Sequence, residues 1–555
     1  MVGDGPSGPR SHVTHDLPAD AVGSGPRRLD DGVSGLTCEA PRRQATEGRR
    51  PVPHEIDTDA GQGHPRRWLI LGILTLSLVQ VVASVSSMNL ALPAIQAALD
   101  ATAAELVWIN AAYALVLAAV LLPFGALGDR FGRKGALLIG LGIIVVGAMA
   151  GASAGSSGQV VLWRCIMGIG AGMVMPATLS ILTSVFPVHE RSRAIAIWAG
   201  FAGAGGAFGI LAAGILLEFF WWGSIFFVNV PVAVLLFVLV VAIVPTSRDT
   251  MGHPLDPAGS LLSALALGSL VFALIQGPEY GWSHGAIVGA FMAAGVLGVS
   301  WVRVEHRQAH PMLDPGLFRI PRFGLGSLGI GAAFAVMFGM FFGLAQYMQF
   351  VLGYSALGTA VRTLPFAATM VFISPLGPKL AERFSVRVVI GGGLLITSTG
   401  MLGMAMLDGS SGYLQVVASL CVASAGMALA FPAATEAIVT SLPQHKAGVA
   451  SAVNDTTREV GAAVGIALLG SLLSSGYRGS IGDSFDGLAL EAAEVARDSM
   501  GAALHVAASA PEALRPDLVA SARGAFADGY SLAMAVGAGL LVAASAMVLR
   551  WFPRD

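Results

Sequence analysis

The chain has 555 residues, 55% of them hydrophobic and 12% charged, with a mean hydropathy of +0.72. A soluble domain carries about 25% charged residues, so the composition excludes an ordinary soluble protein and describes an integral membrane one. The formal net charge of −2 gives no basis for binding nucleic acid, and Cys38, Cys165 and Cys421 lack the spacing of a disulfide framework or a metal site.

Residues 1–65 are rich in Pro, Gly, Arg and Asp and contain no signal-peptide core. They read as a disordered cytoplasmic tail. From Trp68 onward, apolar runs of spanning length follow near 68–92, 105–127, 135–153, 159–185, 193–217, 222–244, 258–276, 284–303, 323–350, 357–379, 387–408, 412–441, 449–475 and 529–551. The expected fold is all-α, with about fourteen transmembrane helices, so both termini lie on one side. The connections on that side carry Arg130, Lys134, Arg191, Arg319, Lys379 and Lys446, among others. The opposite connections at 154–159, 277–285 and 408–412 carry no Lys or Arg. That bias makes both termini cytoplasmic. A long connection, 476–528, faces outward, and its Ala/Leu/Glu pattern around Leu488–Leu504 predicts a surface helix at the mouth of the bundle.

The most informative stretch is Gly125–Lys134, a turn that sets Asp129 beside Arg130, Arg133 and Lys134 between two apolar runs. A weaker copy returns at Leu380–Phe384, with Glu382 and Arg383, and 253 positions separate Asp129 from Glu382. Pro176 and Pro432 each precede a second proline by 11 residues and lie 256 positions apart. Two landmarks at nearly one offset indicate a duplicated six-helix unit, the arrangement common among transporters. The offset exceeds what six spans need by roughly two helices. The expected organisation is therefore a six-helix bundle over 66–245, an inserted pair over 246–304, and a second bundle over 305–555.

These residues resemble the major facilitator superfamily, and in particular its fourteen-helix drug:proton antiporter branch. Gly125–Lys134 matches the signature between helices two and three. Arg164 with Gly168 and Gly170 is similar to the fourth-helix motif. Trp222, Phe226, Asn229 and Pro231, and then Gly448–Asp455 with Arg458 and Glu459, resemble the fourteen-helix branch. The resemblance covers about 68–552 and implies transport by alternating access.

Candidate residues follow from the physics of each motif beside that resemblance. Gly125 permits close helix approach, Asp129 at a helix end can meet a helix N-terminus or a cation, and Gly132 lies in the turn. Arg130, Arg133 and Lys134 suit the anionic inner face. Together with Glu382 and Arg383 they read as a latch between the halves; the alternative is that they only set topology. Arg164 lies within an apolar segment, where a guanidinium is costly, and its place in the family motif implies a part in proton coupling. The other reading is an arginine snorkelling to the interface. Asp455, Arg458 and Glu459 fall at i, i+3 and i+4 on one helix face, either as protonatable acids or as a static clamp. Glu436 is a lone carboxylate and a second protonation candidate. Asn89, Asn110, Tyr113, Tyr347, Gln349 and Asn454 are candidate substrate contacts or helix-to-helix polar links.

Two positions depart from the family pattern. Ser84 stands where the branch commonly has an acid, and Ile210 replaces the proline of the fifth-helix motif. No metalloprotease, nucleotide-binding or serine-hydrolase pattern occurs in its required context, so an enzyme is not expected, nor a cofactor or metal. The expected function is proton-coupled efflux of an amphipathic or lipophilic small molecule across the plasma membrane, with substrate, protons and the lipid bilayer as partners. A transporter of a specific metabolite with other coupling, or a non-transporting sensor, is the alternative.

Overall fold

The structure, a computed structural model, describes residues 63–101, 103–247, 256–308, 311, 313–482, 485 and 490–553. The expected tail therefore lies outside the described residues up to residue 62. Every regular element among the described residues is helical. In chain order these are α1 (Arg67–Leu99), α2 (Ala103–Phe131), α3 (Arg133–Ala152), α4 (Ser157–Val185), α5 (Val188–Phe219), α6 (Ser224–Phe227), α7 (Asn229–Ile243), α8 (Pro257–Tyr280) and α9 (Gly285–Arg307). Then follow α10 (Pro321–Gln346), α11 (Ala356–Ile373), α12 (Leu376–Phe384), α13 (Val386–Ala405), α14 (Tyr413–Thr440), α15 (Ala447–Ile481), α16 (Leu490–Asp498), α17 (Met500–Ser509) and α18 (Arg515–Trp551). Among the described residues thirteen spans are long and apolar enough to cross a membrane, α6 and α7 forming one; α11 and α12, bent by 52°, make a fourteenth. This is a multi-pass membrane protein.

Local chemistry sets the ends. Ser156, Asp256, Ser355 and Ser499 each accept a backbone N–H as N-caps of α4, α8, α11 and α17. The duplication is visible in the helix bounds: a shift of 253 residues carries α2 onto the outer bounds of α11 and α12, and α3 onto α13. The turn repeats as well. Gly132 has φ +116°, and Ser385, 253 positions later, has φ +84°. A glycine adopts that backbone freely, whereas a serine is strained there. Ser385→Gly is expected to stabilise the protein by about 1 kcal/mol, measured as a rise in Tm in detergent.

In the first half α1 packs on α5, and α4 on α2 and α3; in the second, α14 packs on α13, and α15 on α10 and α18. The halves meet where α5 crosses α11 and α14, and where α15 crosses α2 and α4. The inserted helix α8 lies against both α2 and α15, and its hairpin partner α9 packs mainly on α8. Ala118, Val271 and Ala463 meet at that three-helix contact. Lipid, as apolar as the helix surfaces, gives no hydrophobic drive for these contacts, so close packing of small residues carries them.

The long outer connection departs from expectation. Helices α15 and α18 run to Ile481 and from Arg515, well beyond the apolar stretches that mark them in the sequence: the Ala- and Arg-containing start of α18 favours helix, while the end of α15, which carries Gly476 and Gly479, is held by close packing on α18. The single surface helix expected near 488–504 is two helices of 9 and 10 residues. Ser499 in extended conformation separates them, its hydroxyl accepting from the Ala502 N–H at 3.2 Å. The Tyr477 hydroxyl donates to the Ala496 carbonyl at 2.9 Å, holding α16 against α15.

Candidate functional site

The charged turn ends in an inter-half contact. The Asp129 carboxylate accepts the Gly448 N–H at 2.8–2.9 Å and the Val449 N–H at 3.2 Å. These are first-turn amides of α15, whose own N-cap, Lys446, makes no side-chain cap. Asp129 thus caps a helix of the opposite half and meets the positive end of its dipole. Arg133 donates from Nε to Asp129 at 2.9 Å and reaches across with Nη2 to the Gln444 carbonyl, also at 2.9 Å. Backbone proximity makes this possible: a Cβ on Gly125 would lie 2.5 Å from the Ala452 Cβ and 2.7 Å from the Gly448 oxygen. Any parting of the halves on this face, the basic face, breaks these bonds.

The remaining residues of the turn and its copy go elsewhere. Lys134 donates to the Val241 carbonyl at 2.9 Å, within the first half. Arg130 is exposed, with its guanidinium 5.5 Å over the Phe131 ring. Glu382 and Arg383 are exposed, Arg383 lying over Phe384 at 5.4 Å, and neither joins the Asp129 cluster. The physical reason is that α12, which carries both, packs on α13, α14 and α5, whereas the Asp129 cluster lies against α15; the first-turn acid of α5, Glu190, pairs instead with Arg67 through Nη2 at 3.0 Å. A second inter-half bond does form nearby: the Ser192 hydroxyl of α5 donates to the Glu436 carboxylate of α14, with Arg191 alongside.

Deeper in the bundle, Arg164 is 1% exposed. Its guanidinium donates to the carbonyls of Ile109 at 3.2 Å, Ser84 at 3.0 Å and Asn110 at 3.4 Å, and lies 4.6 Å over the Tyr113 ring. No carboxylate pairs with it among the described residues. The Ser84 hydroxyl bonds within 2.8 Å of both the Gln80 carbonyl and Asn229 Oδ1, so a neutral network occupies the place of the missing acid. On α15, Asp455 and Arg458 are fully buried and joined at 3.2 Å. Asp455 Oδ2 and Arg458 Nε have no hydrogen-bond partner among the described residues. Glu459 is half-buried, carries no hydrogen bond among the described residues, and lies within electrostatic reach of Tyr113 across the seam between the halves.

The polar contact candidates divide. Asn454 is wholly buried, accepting from Thr435 at 2.9 Å and donating to Asp455 at 3.1 Å. Tyr347 is also buried, stacked on Tyr530 at 5.5 Å with its hydroxyl on the Asp408 carbonyl at 2.7 Å, so it packs within the second half. Gln349 is half-buried in the π-helical turn Tyr347–Val351, Asn110 is half-buried beside Arg164, and Asn89 is exposed. No cluster of three or more potential metal ligands occurs among the described residues. Sequence reasoning missed the aromatic side chains around Arg458, whose guanidinium lies 4.7 Å over Phe334 and 5.2 Å over Phe431. The one available signal was that Phe431 adjoins the repeated Pro432.

Two similar helical bundles, joined on one face by a carboxylate-capped helix and enclosing buried charges, define a secondary-transporter fold. Residues 74–466 match the model of the Major Facilitator Superfamily, and the chain belongs to that family. It is 36% identical over 485 residues to the multidrug efflux pump LfrA of Mycolicibacterium smegmatis, covering 87% of this chain and 96% of the relative. It is 32% identical over 426 residues to the tetracenomycin C resistance and export protein of Streptomyces glaucescens, covering 76% and 78%. Among solved structures it resembles the human organic anion transporter TETRAN, with a TM-score of 0.58 and 13% identity, covering 87% of this chain and all of the other; that likeness bears on the fold alone.

Proposed function

We propose that this chain exports an amphipathic or lipophilic small molecule across the plasma membrane in exchange for protons, by alternating access between its two halves. Family membership and its full-length efflux-pump relatives support the export reading. The observation that carries proton exchange is Glu459, a half-buried carboxylate that makes no hydrogen bond among the described residues and lies beside the buried Asp455–Arg458 pair. A carboxylate in that setting can hold either a proton or a ligand cation. The Asp129–α15 contact and the Ser192–Glu436 bond act as the latch on the basic face, which the distribution of Lys and Arg makes cytoplasmic, together with both termini. In that assignment the structure is closed toward the cytoplasm. The bundles over 66–245 and 305–555 are the moving bodies, and the pair over 246–304 bridges them through α8.

The test is uptake into inverted membrane vesicles under an imposed pH gradient, with a panel of monovalent lipophilic cations, methyl viologen and neutral polyketides. Accumulation that depends on the gradient supports proton-coupled efflux. Gradient-independent movement of one compound alone would replace it with a specific-metabolite carrier.

A further inference from the structure

One contact between the halves has no part in the motifs discussed so far. Trp198 on α5 and Phe431 on α14 are both fully buried, with ring centroids 6.5 Å apart. Phe431 meets Phe334 of α10 edge-on at 4.9 Å, and Phe334 stacks on Phe338 at 6.2 Å. The indole is fixed from the other side, its Nε1 donating to Thr178 Oγ1 on α4 at 3.3 Å. A continuous aromatic row therefore crosses the seam, anchored at one end to α4 and at the other to α10.

Depth gives the row its meaning. Trp198 lies ten residues into α5 and Phe431 nine from the end of α14. At 1.5 Å per residue both rings lie about 14–15 Å below the basic face. On that side of them is the Asp129 contact, and farther from that face lie Tyr113 and Arg164. Buried, closely packed aromatic rings exclude water, and the one polar atom of the three rings, Trp198 Nε1, is already committed to Thr178 on α4 rather than facing the seam contact with Phe431. The planar guanidinium of Arg458 covers both phenyl rings while its Nη1 holds Asp455 at 3.2 Å. One side chain thus touches both the ion pair and the aromatic row, a use that requires a flat cation able to stack.

We propose that Trp198, Phe431 and Phe334 form an aromatic plug that seals the central charges from the basic face, and that Arg458 is a positioning residue tying this plug to Asp455. The inference deepens the alternating-access reading above and rests on it. When the halves part at the basic face, Trp198 leaves Phe431 and the path opens; Arg458 carries any change in its pairing with Asp455 to the two rings it covers.

The test is the rate at which an imposed pH gradient decays in vesicles with no substrate present. Trp198→Ala, Phe431→Ala and Phe431→Leu are expected to decay several-fold faster than wild type, Phe431→Tyr to behave like wild type, and Arg458→Lys to fall between. Phe366→Ala removes a buried ring that pairs with Phe341 within the second half, and it is expected not to leak. Wild-type decay in the three seam variants, at normal membrane levels, overturns the plug, as does an equal leak in Phe366→Ala. If wild type moves no compound in the uptake assay, the transport reading fails, while the leak comparison still judges the plug.

Discussion

Asp129→Ala is expected to abolish net transport while leaving the protein in the membrane, and to open the basic face. Asp129 is 6% exposed and takes backbone N–H bonds from Gly448 and Val449 of the opposite half. A hydrogen bond to a charged group contributes about 1.5–3 kcal/mol net, so losing this set removes roughly 3 kcal/mol from the closed arrangement alone. At 1.4 kcal/mol per tenfold, the balance moves by about two orders of magnitude toward the arrangement open at that face. The substitution also strands Arg133, which is 4% exposed and whose guanidinium keeps only the Gln444 carbonyl among the described residues. Asp129→Asn is expected to recover only part of this, because its Oδ1 can still accept the Gly448 and Val449 N–H groups while its amide nitrogen then sets a donor against the Arg133 Nε–H. Gly125→Val should act on the same contact by a different route, since its Cβ would collide with Ala452 and Gly448. Because both act on one contact, the double variant is expected to be no worse than the stronger single one. The readout is maleimide labelling of Ser451→Cys in a chain without Cys38, Cys165 and Cys421. Ser451 is buried one turn beyond Gly448, and its hydroxyl has no hydrogen-bond partner among the described residues. Labelling that stays at the wild-type level in Asp129→Ala would refute the latch.

The sequence made the duplication legible because a repeat leaves matched landmarks at a fixed offset, and that offset, 253, reappears in the helix bounds and in the Gly132/Ser385 turn. It did not reveal that the two copies diverge in use. Asp129 and Glu382 look alike as residues, but a carboxylate's role depends on which amides face it, and those belong to a helix more than 300 positions away. Arg164 and Ser84 show the same limit. Their types announce a buried charge and a missing acid, yet three carbonyl groups satisfy the guanidinium and a neutral network fills the gap, neither of which one-dimensional spacing encodes. The aromatic row was invisible for a plainer reason: Phe and Trp in an apolar segment carry no periodic signal that separates a seam contact from a lipid-facing one.

Of the acids on α15, Glu459 is expected to be the one whose loss uncouples transport, and Asp455 the one whose loss damages structure. Asp455 is wholly buried and already bonded to Arg458 and Asn454. Removing one partner of a buried pair costs about 3–5 kcal/mol, because the other is left charged without compensation. Asp455→Ala and Arg458→Met should therefore each lower the Tm and membrane yield sharply. The double variant Asp455→Asn/Arg458→Met, which removes both charges, should recover much of the stability lost by either. Glu459 makes no hydrogen bond among the described residues, so Glu459→Gln breaks none and removes only its charge beside Arg458 and Asp455. It is expected to fold with a Tm within about 0.5 kcal/mol of wild type in stability, yet to lose gradient-driven uptake in inverted vesicles and to exchange labelled substrate across the membrane with no dependence on pH. Gradient-driven uptake that survives Glu459→Gln at wild-type rate would move the exchange site to Glu436, a further carboxylate at the seam. A sharp loss of stability in Glu459→Gln would show instead that its role is to hold the halves together.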